Sequence, residues 1–204
     1  AGETLWVVNR AMGGNESGDF PDMFPGNPDT LYFAPKAGGP SRVVLRASYI
    51  RSPRFVDKDT IVYWADGPVN PAANTKTWIL RTVTIAGGAV KEVMRLTIPR
   101  MSRQDPPLVV GQGVIGWADD WTRDDGQACR WSFLANGAKR SVDFSGWRPV
   151  MPIRRIYSDG RMVFYNRSRQ QYAIYNALTG TRHEIAAGPA AGVFLDWAET
   201  LPVR

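Results

Sequence analysis

The chain has one cysteine, Cys129, and one histidine, His183. A single cysteine excludes an intrachain disulfide, so this is not a disulfide-stapled scaffold; Cys129 opens a strand-like run and is expected to be a small buried residue. A single histidine rules out a histidine-rich metal site and leaves a Ser–His–Asp triad without support. His183 falls in a run expected to be the outermost strand of its sheet, which suits a surface residue better than a general base. No apolar stretch approaches the roughly 18 residues of a membrane-spanning helix, so no membrane span is expected. The glycines between Ala11 and Gly18 form neither a phosphate-binding loop nor a dinucleotide fingerprint, and no cofactor is expected. The net charge of +6 and isoelectric point near 9.7 come without any run of Lys or Arg. A spread of arginines along the whole chain favours solubility over a nucleic-acid partner.

What is abundant is the punctuation of β structure. Twenty Gly, fifteen Pro and eight Trp in 204 residues suit many short strands joined by tight turns. A hydrophobic share of 44% is enough to bury one domain. The glycines also set a register. Gly39, Gly88, Gly137 and Gly180 each follow a strand-like run, and a basic residue follows each within three positions: Arg42, Lys91, Arg140 and Arg182. Internal periods near fifty residues mark propellers, solenoids or arrays. Asn136-Gly137 is a strong signal for a two-residue hairpin, because a type I′ turn needs positive φ at both centres, and Gly38-Gly39 and Gly87-Gly88 meet the same demand.

Runs before these turns (Thr30 to Phe33, Thr77 to Ile85, Arg130 to Leu134, Tyr172 to Tyr175) and after them (Arg42 to Leu45, Val93 to Ile98, Ser141 to Phe144, His183 to Ile185) are expected to be third and fourth strands of four sheets. Second strands are expected at Leu5 to Val8, Ile61 to Trp64, Val114 to Trp117 and Met162 to Tyr165. Two of these continue into the same tripeptide, Trp64-Ala65-Asp66 and Trp117-Ala118-Asp119. First strands are expected at Arg54 to Val56, Leu108 to Val110 and Ile153 to Tyr157. The first repeat lacks one, and the surplus run Val193 to Trp197 would supply it. The expected fold is all-β: a single four-bladed β-propeller over 1–204, with repeats at about 1–49, 50–100, 101–148 and 149–190 and a closing strand in 191–204, the N- and C-terminal strands pairing. A β-sandwich or jelly roll is the alternative.

The stretch NPDTLYFAPKAGGPSRVVLRASYIRSPRFVDKDTIVYWAD resembles repeats of the TolB-like propeller superfamily: strand, Gly-Gly turn, basic strand, then Ser-Pro and the next blade. The segment DGRMVFYNRSRQQYAIYNALTGTRHEI is similar to a kelch-type or F-box-associated blade. Those superfamilies usually have six or more blades, and this chain has material for about four, so it is a compact ring or part of a larger one. The resemblance implies an architecture and leaves the activity open, since such folds host hydrolases, lyases, lectins and adaptors.

In a propeller, loops joining second to third strands share a face with loops joining successive blades, and ligands commonly use that face. The candidate binding residues are therefore Arg54, Asp66, Arg103, Asp119, Asp120, Trp121 and Arg167, with Tyr49, Arg51 and Trp147 nearby. Arginine matches carboxylate, phosphate or sulfate in bidentate fashion, and tryptophan offers a flat face to a sugar ring or a cation. The acidic group Asp119, Asp120, Asp124 and Asp125 does not fit the spacing of a calcium loop, and no metal is assigned. Asn15-Glu16-Ser17 and Asn166-Arg167-Ser168 match glycosylation sequons. The expected function is a non-catalytic recognition module for a glycan or protein surface, anionic ligands included. The alternatives are a hydrolase or lyase using Asp66 and Asp119 as acid and base, and a structural subunit that self-assembles. The first residue is Ala1 rather than Met, which suits a processed product or an expressed fragment and leaves open whether a signal peptide was removed; an extracellular or periplasmic location is expected. No oligomeric state is legible.

Overall fold

The structure, a computed structural model, describes residues 4–8, 28–99, 106–119, 130–149, 156, 159–166 and 168–186. Among these residues every regular element is a strand. The strands make four antiparallel sheets in which consecutive strands are neighbours. The chain divides into two compact units, Ala1–Asp105 and Pro106–Arg204, with two sheets in each.

In the first unit, β1 (Thr4–Val8), β2 (Asp29–Ala34) and β3 (Arg42–Ala47) form a three-stranded sheet. β4 (Arg51–Phe55), β5 (Thr60–Asn70), β6 (Thr75–Thr84) and β7 (Lys91–Pro99) form a four-stranded one. β2 shows why the chain extends here: Asp29, Leu31 and Phe33 are buried and alternate with half-buried Thr30, Tyr32 and Ala34, the period of a pleated strand with one face in the core. Leu31, Phe33 and Val44 of the first sheet pack with Ile61, Tyr63, Ala65, Ile79 and Val83 of the second in one cluster. The opposite face of the second sheet is buried as well: Val62, Trp64, Trp78, Leu80, Leu96 and Ile98 are all at most 7% exposed. The middle of β5 therefore reads as an unbroken apolar run, as strands covered on both faces do. Each such side chain contributes roughly 1.5–3 kcal/mol when fully buried.

The second unit holds β8 (Leu108–Gly111), β9 (Val114–Ala118), β10 (Arg130–Ala135) and β11 (Ala138–Asp143) in one sheet. Its other sheet holds β12 (Arg148–Pro149), β13 (Arg161–Asn166), β14 (Gln171–Asn176) and β15 (Arg182–Ala186). Aromatic side chains join the two. Trp131 and Phe133 of β10 meet Phe164 and Tyr175, and Phe144 stacks on Phe164 at 3.9 Å between centroids. Gly116 admits this packing, since a Cβ there would lie 2.7 Å from Phe133 and from Val109.

The turns follow the sequence. Asn136 and Gly137 take φ of 50° and 75° in a hairpin that pairs Ala135 with Ala138, and both residues of Gly38-Gly39 and Gly87-Gly88 have positive φ. Among the described residues the first sheet has one strand fewer than the other three, β1 being its edge. The run Val193 to Trp197 lies outside the described residues. Two first strands are displaced from their expected places. β4 begins at Arg51, three residues early, because a bulge centred on Ser52 (φ 48°) lets a pre-proline segment join the sheet. In the fourth sheet the strand paired with β13 is β12, at Arg148–Pro149. The expected Ile153 to Tyr157 lies, apart from Ile156, outside the described residues. Pro149 is tolerated because β12 is an edge strand.

Candidate functional site

One end of the β4–β7 sheet gathers charged and aromatic side chains on one face. The register explains how. Arg51 stands opposite Trp64, Asp66 opposite Trp78, and Lys76 is two residues from Trp78 on the same strand, so all five project to the same side. Two bulges arrange this. The β4 bulge places both Arg51 and Arg54, three residues apart, opposite same-face partners Trp64 and Val62. The β5 bulge, between Asp66 and Val69, contains Gly67. A Cβ at Gly67 would lie 2.9 Å from the Thr77 carbonyl oxygen, so the close approach needs glycine.

At the centre is Lys76. Its Nζ lies 2.7 Å from Asp66 Oδ1, 4.2 Å from the Trp78 ring centroid and 4.8 Å from that of Tyr49. Tyr49 and Trp78 are 5.6 Å apart and tilted at 51°, and the Arg51 guanidinium carbon lies 4.3 Å from the Tyr49 centroid. The Lys76 side chain is 15% exposed and that of Asp66 33%. The ammonium is thus held between two rings and a carboxylate at the edge of solvent. The Trp78 Nε1 donor is buried without a hydrogen-bond partner.

Tyr49 has a φ of 64°, a conformation that costs a non-glycine residue roughly 1–3 kcal/mol and persists only when its surroundings impose it. A buried carboxylate does so here. Asp29, 5% exposed at the start of β2, accepts the Ile50 N–H at 2.7 Å. The residue ending the first long loop thereby fixes the segment that joins the two sheets, and that segment delivers Tyr49 to the second long hairpin. The start of β2, the segment joining the two sheets and the β5–β6 hairpin therefore meet in this unit.

The second unit repeats the pattern with different partners. Asp119 accepts from Trp117 Nε1 at 2.8 Å and from Ser132 Oγ at 2.5 Å, with Arg130 Nε at 3.7 Å. Ser132 has one proton and gives it to Asp119, so its 2.7 Å contact with Ser141 is a bond donated by Ser141. Trp117, Ser132 and Ser141 are register partners across three strands. In both copies of the Trp-Ala-Asp tripeptide, within β5 and at the end of β9, the carboxylate thus binds a partner in its own sheet.

Of the expected site residues, Asp66 belongs to the Lys76 cluster, whereas Arg54 is exposed on the same sheet face but in the row of Val62, Thr82 and Lys91, toward the other end of the sheet. Asp119 belongs to the other unit. Arg103, Asp120, Trp121 and Arg167 lie outside the described residues, as do Cys129, Asp124 and Asp125. Trp147, expected as a stacking surface, is 3% exposed in the aromatic core. His183 is exposed on β15, the edge strand of its sheet. The Asn166 sequon is closed: Asn166 is 3% exposed and its Oδ1 accepts from Ser168 Oγ and Arg169 N. Among the described residues no group of three or more His, Cys, Asp or Glu could hold a metal ion. Sequence reasoning did not single out Lys76 and Trp78. Their alternate spacing opposite a Trp-Ala-Asp tripeptide is the signal that points to them.

No family model matches this chain, and no curated protein matches it. Among solved structures it is similar to a chain in the crystal structure of a nidogen/laminin complex, with 9% identity over 78% of this chain and 72% of that one and a TM-score of 0.33. A likeness at that level identifies neither a family nor a ligand.

Proposed function

We propose that the four sheets are the blades of a small β-propeller closed by the N- and C-terminal strands, and that the chain is a non-catalytic recognition module for a glycan or protein partner. Three features support the architecture. The sheets are separate meanders of consecutive strands, which fits blades better than the two layers of a sandwich. Among the described residues the first has three strands where the others have four, and a C-terminal segment would supply the fourth. The β4–β7 sheet is buried on both faces, as a blade between neighbours is.

The observation that carries the functional reading is the cluster of Tyr49, Arg51, Asp66, Lys76 and Trp78 at a loop end; Arg54, further along the same face, is proposed as an additional contact. Aromatic and arginine side chains held rigidly by bulges and by Asp29 are the groups in which binding energy concentrates. Asp66 and Asp119 are each bound to partners in their own sheets, which suits structure and orientation better than an acid–base pair. The remaining proposed contacts are Arg103, Asp120, Trp121 and Arg167, with export as the proposed localisation. The test is an array of neutral and anionic glycans, run beside assays for hydrolysis and elimination on the same ligands. Binding without turnover supports the module. Turnover would replace it with the enzyme reading.

A further inference from the structure

Lys76 occupies a site whose chemistry is that of an ammonium receptor. Two aromatic faces lie within 5 Å of Nζ, and a carboxylate oxygen lies at 2.7 Å. Ring quadrupoles attract cations, and an aromatic cage completed by an acid is how quaternary and methylated ammonium groups are recognised. A lysine satisfied only by its local sheet does not need a strained tyrosine. Here Tyr49 is kept at φ 64° by a buried hydrogen bond from another sheet, and its ring closes the cage. Trp78 keeps a buried N–H donor with no acceptor, a group that a ligand carbonyl can satisfy.

We infer that Tyr49, Trp78 and Asp66 form a binding site for an external ammonium group, a lysine or methylated lysine of a protein partner, and that Lys76 is its displaceable resident. Lys76 can leave because its partly exposed side chain is a flexible four-carbon stem, whereas Trp78 and Asp66 are held in paired strands beside a bulge and the Tyr49 segment by the Asp29–Ile50 bond. As an intramolecular competitor, Lys76 lowers apparent affinity by the fraction of time it fills the cage. This inference rests on the recognition reading and narrows its ligand to a protein.

The experiment titrates the full chain with a short peptide carrying trimethyllysine, with its lysine and norleucine counterparts, by calorimetry. Wild type is expected to bind the trimethyllysine peptide weakly, Lys76→Ala at least tenfold more tightly, and Lys76→Ala with Tyr49→Ala not measurably, circular dichroism showing all three folded. Norleucine should not bind. Equal binding of norleucine and trimethyllysine would overturn the inference, as would binding to Lys76→Ala with none to wild type at millimolar peptide, which would make Lys76 a permanent structural plug. If no ammonium peptide binds either protein while a glycan still binds wild type, the cage fails and the module stands.

Discussion

Arg140 reaches from β11 to the carbonyl oxygen of Leu178, beyond β14, and donates to it at 2.6 Å. The contact has a return: Arg182 at the start of β15 donates to the Asp143 carbonyl at 3.1 Å and lies over the rings of Phe144 and Trp147. Two of the basic residues that mark the repeat therefore tie neighbouring sheets together in opposite directions.

Lys91 holds the matching place in β7 and makes no hydrogen bond or ion pair with the described residues. Arg140→Ala should cost about 1 kcal/mol, since the bond is charge-assisted but exposed, and lower the melting temperature by roughly 2–4 °C in a chain of this size. Lys91→Ala should leave it unchanged. Differential scanning calorimetry on both variants decides, and equal effects would mean the clamp is ornamental.

Gly67→Ala tests the bulge. The new Cβ would press on the Thr77 carbonyl oxygen and the Ile79 side chain, so the strand must shift and carry Asp66 away from Lys76. The expected result is a loss of about 1–3 kcal/mol in urea unfolding, together with weaker ligand binding. Unchanged binding in a destabilised protein would separate the bulge from the site.

Tyr175 sets an alkaline limit. Burial pushes its hydroxyl above the ordinary tyrosine range, and Arg140 pulls it partly back. The folded state favours the neutral form. This contribution is therefore complete below the unfolded pKa of about 10 and is lost as pH rises through the higher folded value. Tyr175→Phe keeps the ring contacts and should move the midpoint of alkaline unfolding upward. A midpoint that stays in place would assign the transition to other groups.

Truncation tests the proposed closure. Deleting the residues after Pro189 removes the run Val193 to Trp197 and should lower the stability of the whole chain, because the edge of β1 and the apolar surface beside it would be left open. A truncated chain that melts like the full one would contradict the closed ring.

Much of the fold was legible because it is written in local chemistry. Paired glycines and Asn136-Gly137 demand positive φ, and the runs beside them alternate or stay apolar, so third and fourth strands fall within a few residues of their expected positions. First strands were harder to place. β4 and β12 carry prolines, and proline normally argues against a strand unless a bulge or an edge accommodates it. Half of the site was legible by the same logic. Asp66 stood out through the repeated Trp-Ala-Asp tripeptide, and Tyr49 through its place at a sheet junction. The pairing of Asp66 with Lys76 was not, because it depends on a one-residue bulge that shifts the register. Nor was the role of Asp29, whose partner Ile50 is distant in sequence.

Recognition at the Lys76 end of the sheet is tested by calorimetry of the best ligand from the array against wild type, Tyr49→Ala, Arg103→Ala, Trp121→Ala and Lys91→Ala. Lys91 pairs with Thr82, at the end of the sheet remote from Lys76, roughly 20 Å away at the rise of a β-strand. Recognition at the loop end predicts that Tyr49→Ala, and at least one of Arg103→Ala and Trp121→Ala, weakens binding about thirtyfold or more, the scale of an interface anchor, while Lys91→Ala changes it less than twofold. Loss of binding in Lys91→Ala with the other variants unaffected would place the site at the opposite end and contradict the account.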